Sequence, residues 1–571
     1  MMKRQHDAKI KPSAGRLPLN PMPRIPTWIF WVVLLLHLPA LFIDVMDIDA
    51  AQYAEMSREL RFSNNWTFLY DRGSNYLDKP PLLFWLSALS MKVLGVSNFA
   101  YKLPSFLVAL LAVYATHRLG RRLHGEAVGR LAALILATCQ GLFLMINDVR
   151  TDTMLMGWVA TALWGWAEYR SGKRWGWLLL TAVAVALGLM TKGPIALFVP
   201  VFAIGADALL RRDWNLIFDP KYLVAVLVIA VLLLPMALGL YYQYDLHPEA
   251  LVDGKQGVSG LTFFFWTQSF GRITGASDWD NGAGPEFLLV GMLWAFLPWI
   301  LLFLLAFGAG FRKLIKQKFK LPKQSEGLVL GGFTLTYLSL CMSRYQLPHY
   351  IFVVFPLAAI LVACLFRDFA EGQYPKWKSA FVKIQTGMGA LLLLGVLLIL
   401  TIVFPQPWWV LMIWLDCVVV WLLVTRVSKG TARMLWTSVT AILITNLFLT
   451  NFFYRPLLRY QLGGQVGRYL LAHQIPRDQV LAYRVEDPMN SLPFYSLSII
   501  KTTFDSGMAT QQRFPYVLTG AAGLAEMQRA GVVPDTLKRF ERFKVSELTP
   551  TFLSVKARSE ALTSYWLVKV R

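Results

Sequence analysis

The chain alternates stretches of about 20 mostly apolar residues with short basic clusters, and that layout allows few folds. A segment of this kind crosses a bilayer as a helix, because each backbone N–H and C=O must find its partner inside the segment. The length rule gives roughly thirteen such segments. They fall near 28–46, 100–119, 129–147, 153–169, 175–191, 194–210, 222–243, 286–308, 327–342, 347–366, 381–404, 408–425 and 434–453. The composition agrees, with 56% hydrophobic and 16% charged residues, where a soluble chain carries about 25% charged. The expected fold is therefore an α-helical polytopic membrane protein.

The net charge of +22 does not form a stripe of the kind that tracks nucleic acid. It is divided among Arg118/Arg121/Arg122, Arg170/Lys173/Arg174, Arg211/Arg212, Arg312/Lys313/Lys316/Lys318, Lys376/Lys378 and Arg426/Lys429. All of these fall on one side of the membrane under the count above, as cytoplasmic anchors do. Residues 1–27, with six Lys or Arg, read as a cytoplasmic tail, and 28–45 as a retained first helix, since Asp47-Ile48-Asp49 follows where a cleavage site would lie. Cys139, Cys341, Cys364 and Cys417 sit in or beside apolar runs without Cys-x-x-Cys spacing, so neither a disulfide nor a zinc site is expected.

This topology gives a membrane domain over 28–453 with two large outer loops, 47–99 and 244–285. Leu82–Leu94 is too short to span and reads as a helix lying in the interface. From 454 to 571 the chain turns polar and reads as a small extracytoplasmic α/β domain. Its expected strands are Val480–Tyr483, 498–501, 516–519 and 565–570, its expected helix is Ala521–Arg529, and Gly463-Gly464 acts as punctuation. No internal repeat is visible, which argues against an inverted-repeat transporter.

The chemistry-bearing residues gather in the outer loops. Asp49 precedes Tyr53 by one helical turn, so the two share a face if the loop is helical; an ordinary helix N-cap by Asp47 or Asp49 is the alternative. In Tyr76-Leu77-Asp78-Lys79-Pro80-Pro81, two prolines stiffen the chain behind an Asp-Lys pair. Asn147-Asp148-Val149-Arg150-Thr151-Asp152 sets three charges between two apolar helices. Lys192, Lys255, Arg272 and Arg344 are cations on the same outer side, against the usual charge bias, and point to an anionic ligand such as a phosphate. His247 and His349 read as structural.

As a set and in this order, these motifs resemble the bacterial branch of the GT-C glycosyltransferases, the group of the lipid A aminoarabinose transferase and the protein O-mannosyltransferase-like enzymes. The resemblance rests on Asp49-Ala50-Ala51-Gln52-Tyr53-Ala54-Glu55, Tyr76-Leu77-Asp78-Lys79-Pro80-Pro81-Leu82-Leu83-Phe84-Trp85, Thr191-Lys192-Gly193-Pro194 and Gln346-Leu347-Pro348-His349-Tyr350, and covers roughly residues 28 to 360. It implies transfer of a sugar from a polyprenyl phosphate carrier to lipid A or another envelope acceptor at the outer face of the inner membrane, with membrane lipids as surroundings. Protein O-glycosylation is the alternative enzyme reading, and a lipid or sugar transporter the alternative outside catalysis. Carried over residue by residue, Asp49 positions or deprotonates the acceptor with help from Asp152, while Tyr53, Arg58, Tyr76, Asp78, Lys79, Lys192, Arg272, Arg344 and Tyr345 bind substrate. The chain departs from the pattern at Ala50, Gln52 and Asp78, where relatives carry Glu, Arg and Glu. In the second loop it reads Gln268-Ser269-Phe270-Gly271-Arg272 where relatives show Glu-His before the Arg, so Ser269 replaces the His that would hold a divalent metal. The resemblance thus leaves the cofactor, the sugar and the oligomeric state unassigned.

Overall fold

The computed structural model describes residues 22–252, 254–268, 271, 280–322, 327–486, 489–509 and 514–570. The apolar segments expected from the sequence are largely helical, although 28–46 is helical only as far as Phe42 and 286–308 is interrupted between Ala295 and Ile300. Seven described helices are individually long and apolar enough to cross a membrane: Asn98–His124, Trp175–Lys192, Tyr222–Asp245, Pro348–Ala370, Pro375–Val403, Trp408–Val427 and Gly430–Tyr460. The helices Glu126–Ala137 and Gln140–Asn147 are long and apolar enough only when taken together, and they are bent by 52° at the break between them. The bend falls at Thr138-Cys139, where the Gln140 N–H leaves the helical ladder to donate to the Leu297 carbonyl at 3.0 Å.

Small residues let these helices approach closely, as is usual where lipid supplies no hydrophobic drive between them. Gly157 of Thr151–Gly172 lies against Val108 of Asn98–His124 so tightly that an added Cβ would stand 2.5 Å from Val108 Cγ1 and 2.6 Å from its carbonyl oxygen. Gly331 and Gly332 of Leu328–Cys341 meet Ala206 and Ala203 of Ile195–Arg211 in the same manner.

The first outer loop is a small structure of its own. Asp49–Phe62 is a helix, and a two-residue hairpin follows, β1 (Tyr70–Asp71) with β2 (Ser74–Asn75). Then comes the short helix Leu82–Leu94. The N-cap alternative is corrected here: Ile48 occupies the cap position and Asp49 lies in the first turn. Asp47 instead accepts from Ser491, at 3.1 Å from its backbone N–H and 3.3 Å from its hydroxyl.

The C-terminal part carries a five-stranded sheet of order β4-β3-β5-β7-β6. Its strands are β3 (Val480–Tyr483), β4 (Lys501–Thr503), β5 (Tyr516–Gly520), β6 (Pro534–Arg542) and β7 (Thr563–Val570). The three strands β4, β3 and β5 run parallel, and β7 and β6 complete an antiparallel edge. Three expectations are corrected. The strand expected over 498–501 begins only at Lys501. β6 was not anticipated, because its sequence PDTLKRFER is polar on an edge strand and gives little alternation. Gly463 and Gly464 do not break the chain but lie inside the helix Leu462–Ala472, where an added Cβ on Gly463 would fall 2.5 Å from the Leu492 backbone nitrogen.

This domain grips the segment that leads into Asp49. Arg468 makes two bonds to Asp44, at 3.0 and 2.9 Å. The Tyr495 hydroxyl accepts from the Val45 N–H at 2.8 Å and donates to Asn98 at 2.9 Å. The Gln461 amide accepts from the Asp47 N–H and donates to the Val45 carbonyl, while Asn490 donates to the Ile48 carbonyl. Residues 44–48 are thus fixed from above.

Gly157→Ala is expected to force these two helices apart at a cost of about 1–3 kcal/mol. Thermal unfolding of the detergent-purified protein should show a lowered Tm, and an unchanged Tm would contradict the packing.

Candidate functional site

Asp49 stands at the first turn of its helix, and its carboxylate pairs with the Arg150 guanidinium. Arg150 comes from the three-residue link between Gln140–Asn147 and Thr151–Gly172 and also binds Asp148, its Nε donating at 2.9 Å. One guanidinium therefore bridges two carboxylates. Burial works against the charge of Arg150, but Asp148 and Asp49 outweigh it and hold the group above its ordinary value. For Asp148 the balance is reversed: burial raises its carboxyl despite the adjacent Arg150.

The link is held in place by a lysine absent from the expected site. Lys102 is almost fully buried, and its ammonium donates to the carbonyls of Ala40 and Asn147, each at 3.0 Å. These carbonyls belong to the stretch before Asp49 and to the residue before Asp148, so one side chain sets the spacing of the two chain segments that meet in the Asp49–Arg150 pair.

A second pair lies one helical step further along. Asp152, at the start of Thr151–Gly172, pairs with Lys192 at the end of Trp175–Lys192. His349 approaches the same carboxylate at 3.6 Å, and the Lys192 ammonium lies 4.0 Å over the Tyr350 ring. Asp152 is 2% exposed, whereas Asp49 is 35% exposed. Only Asp49 of the two is open to an incoming molecule.

The third pair is Lys79 with Asp78. The Gln268 amide donates to the Asp78 carbonyl, tying the second outer loop to the first. Tyr53 lies within electrostatic reach of Asp49, Asp78 and Arg150, and His349 within reach of Asp152, Arg150, Lys192 and Lys79, so the pairs form one cluster. Tyr53 and Tyr76 both pack edge-on to Phe84, at 5.6 and 6.0 Å. Burial first pushes both phenols well above their ordinary value, with Asp49 and Asp78 adding to it at Tyr53, and Tyr53 and then Asp78 at Tyr76, which keeps them hydrogen-bond donors.

The sequence-expected residues divide accordingly. Asp49, Tyr53, Tyr76, Asp78, Lys79, Asp152 and Lys192 come together. Arg58 does not join them: it forms a two-bond pair with Glu55 at 2.6 and 2.7 Å and donates to the Leu497 carbonyl at 3.2 Å, facing the C-terminal domain. Arg344 is exposed, and its carbonyl receives Asn281 at 3.4 Å; the Tyr345 carbonyl accepts from the Ser343 hydroxyl at 2.8 Å. Arg272 and Ser269 lie outside the described residues. Arg150, Lys102 and His349 were missed. Arg150 lay in a motif already singled out, but its partner is 101 residues away in the chain, so no local spacing reveals the pair.

Among the described residues no group of three or more His, Cys, Asp or Glu could hold a metal ion.

Residues 78–238 match the family model described as dolichyl-phosphate-mannose-protein mannosyltransferase. The chain is 26% identical over 392 residues to the undecaprenyl phosphate-alpha-4-amino-4-deoxy-L-arabinose arabinosyl transferase of Enterobacter sp. (strain 638), covering 66% of this chain and 64% of that protein. It is 28% identical over 369 residues to the enzyme of the same name from Erwinia tasmaniensis, covering 63% and 61%. The chain thus matches a little under two thirds of the length of these relatives. The crystal structure of ArnT from Cupriavidus metallidurans bound to undecaprenyl phosphate superposes with a TM-score of 0.70 over 95% of this chain and 97% of that one, at 17% identity. Fold and site together define a multi-pass inner-membrane protein of the GT-C architecture. Within that class the chain is aminoarabinose-transferase-like.

One group beside the site titrates in the neutral range. Burial, with the Glu55 charge adding to it, raises the Glu59 carboxyl to about 7, although the Arg72 and Gly73 N–H groups of the hairpin oppose this. Its proton is bound more tightly in the folded chain, so its contribution to stability is full below the ordinary carboxylate range and is lost as pH rises through about 7. Between roughly pH 5 and pH 8 the Tm of the wild type is expected to fall by more than that of Glu59→Gln. Parallel melting curves for the two would remove Glu59 as the cause.

Proposed function

We propose that the protein is a glycosyltransferase that moves a sugar from a polyprenyl phosphate carrier to lipid A or another envelope acceptor at the periplasmic face of the inner membrane. The observation that carries the reading is the cluster in which an accessible carboxylate, Asp49, and two lysines, Lys79 and Lys192, are each held by an oppositely charged partner. The names of the relatives support a polyprenyl-linked donor, since they are undecaprenyl phosphate-alpha-4-amino-4-deoxy-L-arabinose arabinosyl transferases. In this reading the N-terminus is cytoplasmic, residues 28–453 form the membrane catalytic domain and 454–571 a periplasmic domain.

Asp49 receives the proton of the acceptor hydroxyl, and Arg150 fixes its carboxylate in position. The acceptor oxygen bonds to the anomeric carbon as the bond from that carbon to the carrier phosphate oxygen breaks. The phosphate leaves with the bonding electrons, and Lys79, assisted by Lys192, stabilises its charge in competition with Asp78 and Asp152. Attack and departure from opposite faces invert the anomeric centre. Tyr53 and Tyr76, protonated throughout, donate to sugar or phosphate oxygens. Asp152 is too buried to meet the acceptor and acts by orienting Lys192 and His349. The second reading, transfer to protein, is favoured by the mannosyltransferase description of the family model over residues 78–238.

Asp49→Asn should insert normally yet lose about 10²- to 10⁴-fold in transfer rate, the usual worth of a general base. Lys79→Ala should be similarly inactive through loss of leaving-group stabilisation. The test is mass spectrometry of envelope lipids, glycans and proteins from a deletion strain complemented with wild type or either variant. A single sugar mass restored by the wild type and by neither variant supports the assignment and names the acceptor class. Full activity of a variant would withdraw the role of that residue.

A further inference from the structure

The opposite end of the molecule holds a second charged cavity that the proposed reaction does not use. The helix Pro375–Leu398 and its continuation to Val403 run toward the C-terminal domain, where Phe404 packs on Phe552 and Arg558 donates to the Val403 carbonyl. Its start therefore lies about 40 Å away at the other membrane face, since an α-helix rises 1.5 Å per residue. The helix Gly430–Phe448 starts on that same face. Between these two starts lies a cavity of about 600 Å³ lined by Pro375, Lys378, Ser379, Lys383, Thr386 and Arg433, among others.

Its charge is of one sign. Three cations and two hydroxyls line it, and no carboxylate does. Neither 375–386 nor 426–436 contains an Asp or Glu. The first-turn N–H groups of both helices add partial positive charge to the same space. Arg433 has its Nε buried without a hydrogen-bond partner, and Lys378 makes one long bond, to the Phe369 carbonyl at 3.4 Å. A larger cavity of about 820 Å³ on the same face behaves differently. There Arg170 and Arg211 are both taken up by Asp207, at 2.8 and 3.1 Å, and Arg367 by Asp368 at 3.2 Å. Of the two, the smaller cavity is the one whose cations face no carboxylate in the lining.

A phosphate group satisfies these donors, as a basic pocket between transmembrane helices satisfies a lipid headgroup. The position favours lipid over a soluble anion. Trp377, 53% exposed beside the cavity, is the aromatic type enriched at the headgroup level, and Lys383 and Thr386 carry the polar lining two turns further into the membrane. We propose that this cavity binds the phosphate headgroup of an anionic membrane lipid, at the face opposite the glycosyl-transfer site.

The test is native mass spectrometry of the full-length protein in a nonionic detergent, titrated separately with phosphatidylglycerol, phosphatidylcholine and inorganic phosphate. Phosphatidylglycerol adducts should exceed phosphatidylcholine adducts at equal concentration. Lys383→Gln with Arg433→Gln should reduce the phosphatidylglycerol excess by about five-fold for each charge removed. Lys320→Gln, on the same face but outside the cavity, should leave it intact. Lys383→Glu alone, at an exposed position, provides the answer if the double variant fails to fold, and should weaken binding more than Lys383→Gln. Equal adducts in wild type and cavity variants, or equal binding of the two lipids, would overturn the proposal. Saturation by inorganic phosphate at the concentration where the lipid saturates would also overturn it, because the ligand would then be a soluble anion.

Discussion

The geometry of the candidate site depends on a buried ammonium. Lys102 stands in the second turn of Asn98–His124 and is held by main-chain carbonyls, those of Ala40 and Asn147, with no carboxylate in hydrogen-bond contact among the described residues. Backbone oxygens cannot shift by a rotamer change, so the spacing they impose is stiffer than an ion pair between flexible side chains would give. The distance from the Asp49 helix to the Asp148–Arg150 link is set in this way before any charge in the cleft is considered.

Each cationic group in the cleft has a dedicated carboxylate: Arg150 has Asp49 and Asp148, Lys192 has Asp152, and Lys79 has Asp78. Pairing of this kind keeps the cations oriented in a partly dry site, where an isolated charge would be costly. It also makes the site selective for anions that compete well with a carboxylate, which a phosphate ester does by offering several oxygens at once. The tyrosines contribute differently, since burial keeps them neutral donors at any physiological pH.

Much of the fold was readable because the bilayer imposes a strict rule. A run of apolar residues must be helical, and the helices lie where the runs lie. The motifs around Asp49, Lys79 and Lys192 were readable for a related reason: charged residues at the outer ends of apolar segments need an explanation that packing does not supply. Less was readable where tertiary contact decides. Arg150 pairs across 101 residues, His349 faces Asp152 from a distant helix, and Arg58 spends its charge on Glu55. Gly463 and Gly464 look like a break, yet Gly463 is small because Leu492 and Ser491 press against that helix. The polar edge strand Pro534–Arg542 carries too weak an alternation to announce itself, and only its pairing with Thr563–Val570 makes it a strand.

The clasp between the C-terminal domain and residues 44–48 has a consequence for how such proteins diversify. Asp44, Val45, Asp47 and Ile48 are each bonded to a residue of the C-terminal part, and Arg58 at the far side of the same helix reaches Leu497. The two parts are therefore not interchangeable modules. A hybrid joined at the start of the C-terminal part would inherit a loop shaped for one partner and a domain shaped for another, and the mismatch would fall on the helix that begins with Asp49. Variation on one side of that seam must be matched by change on the other.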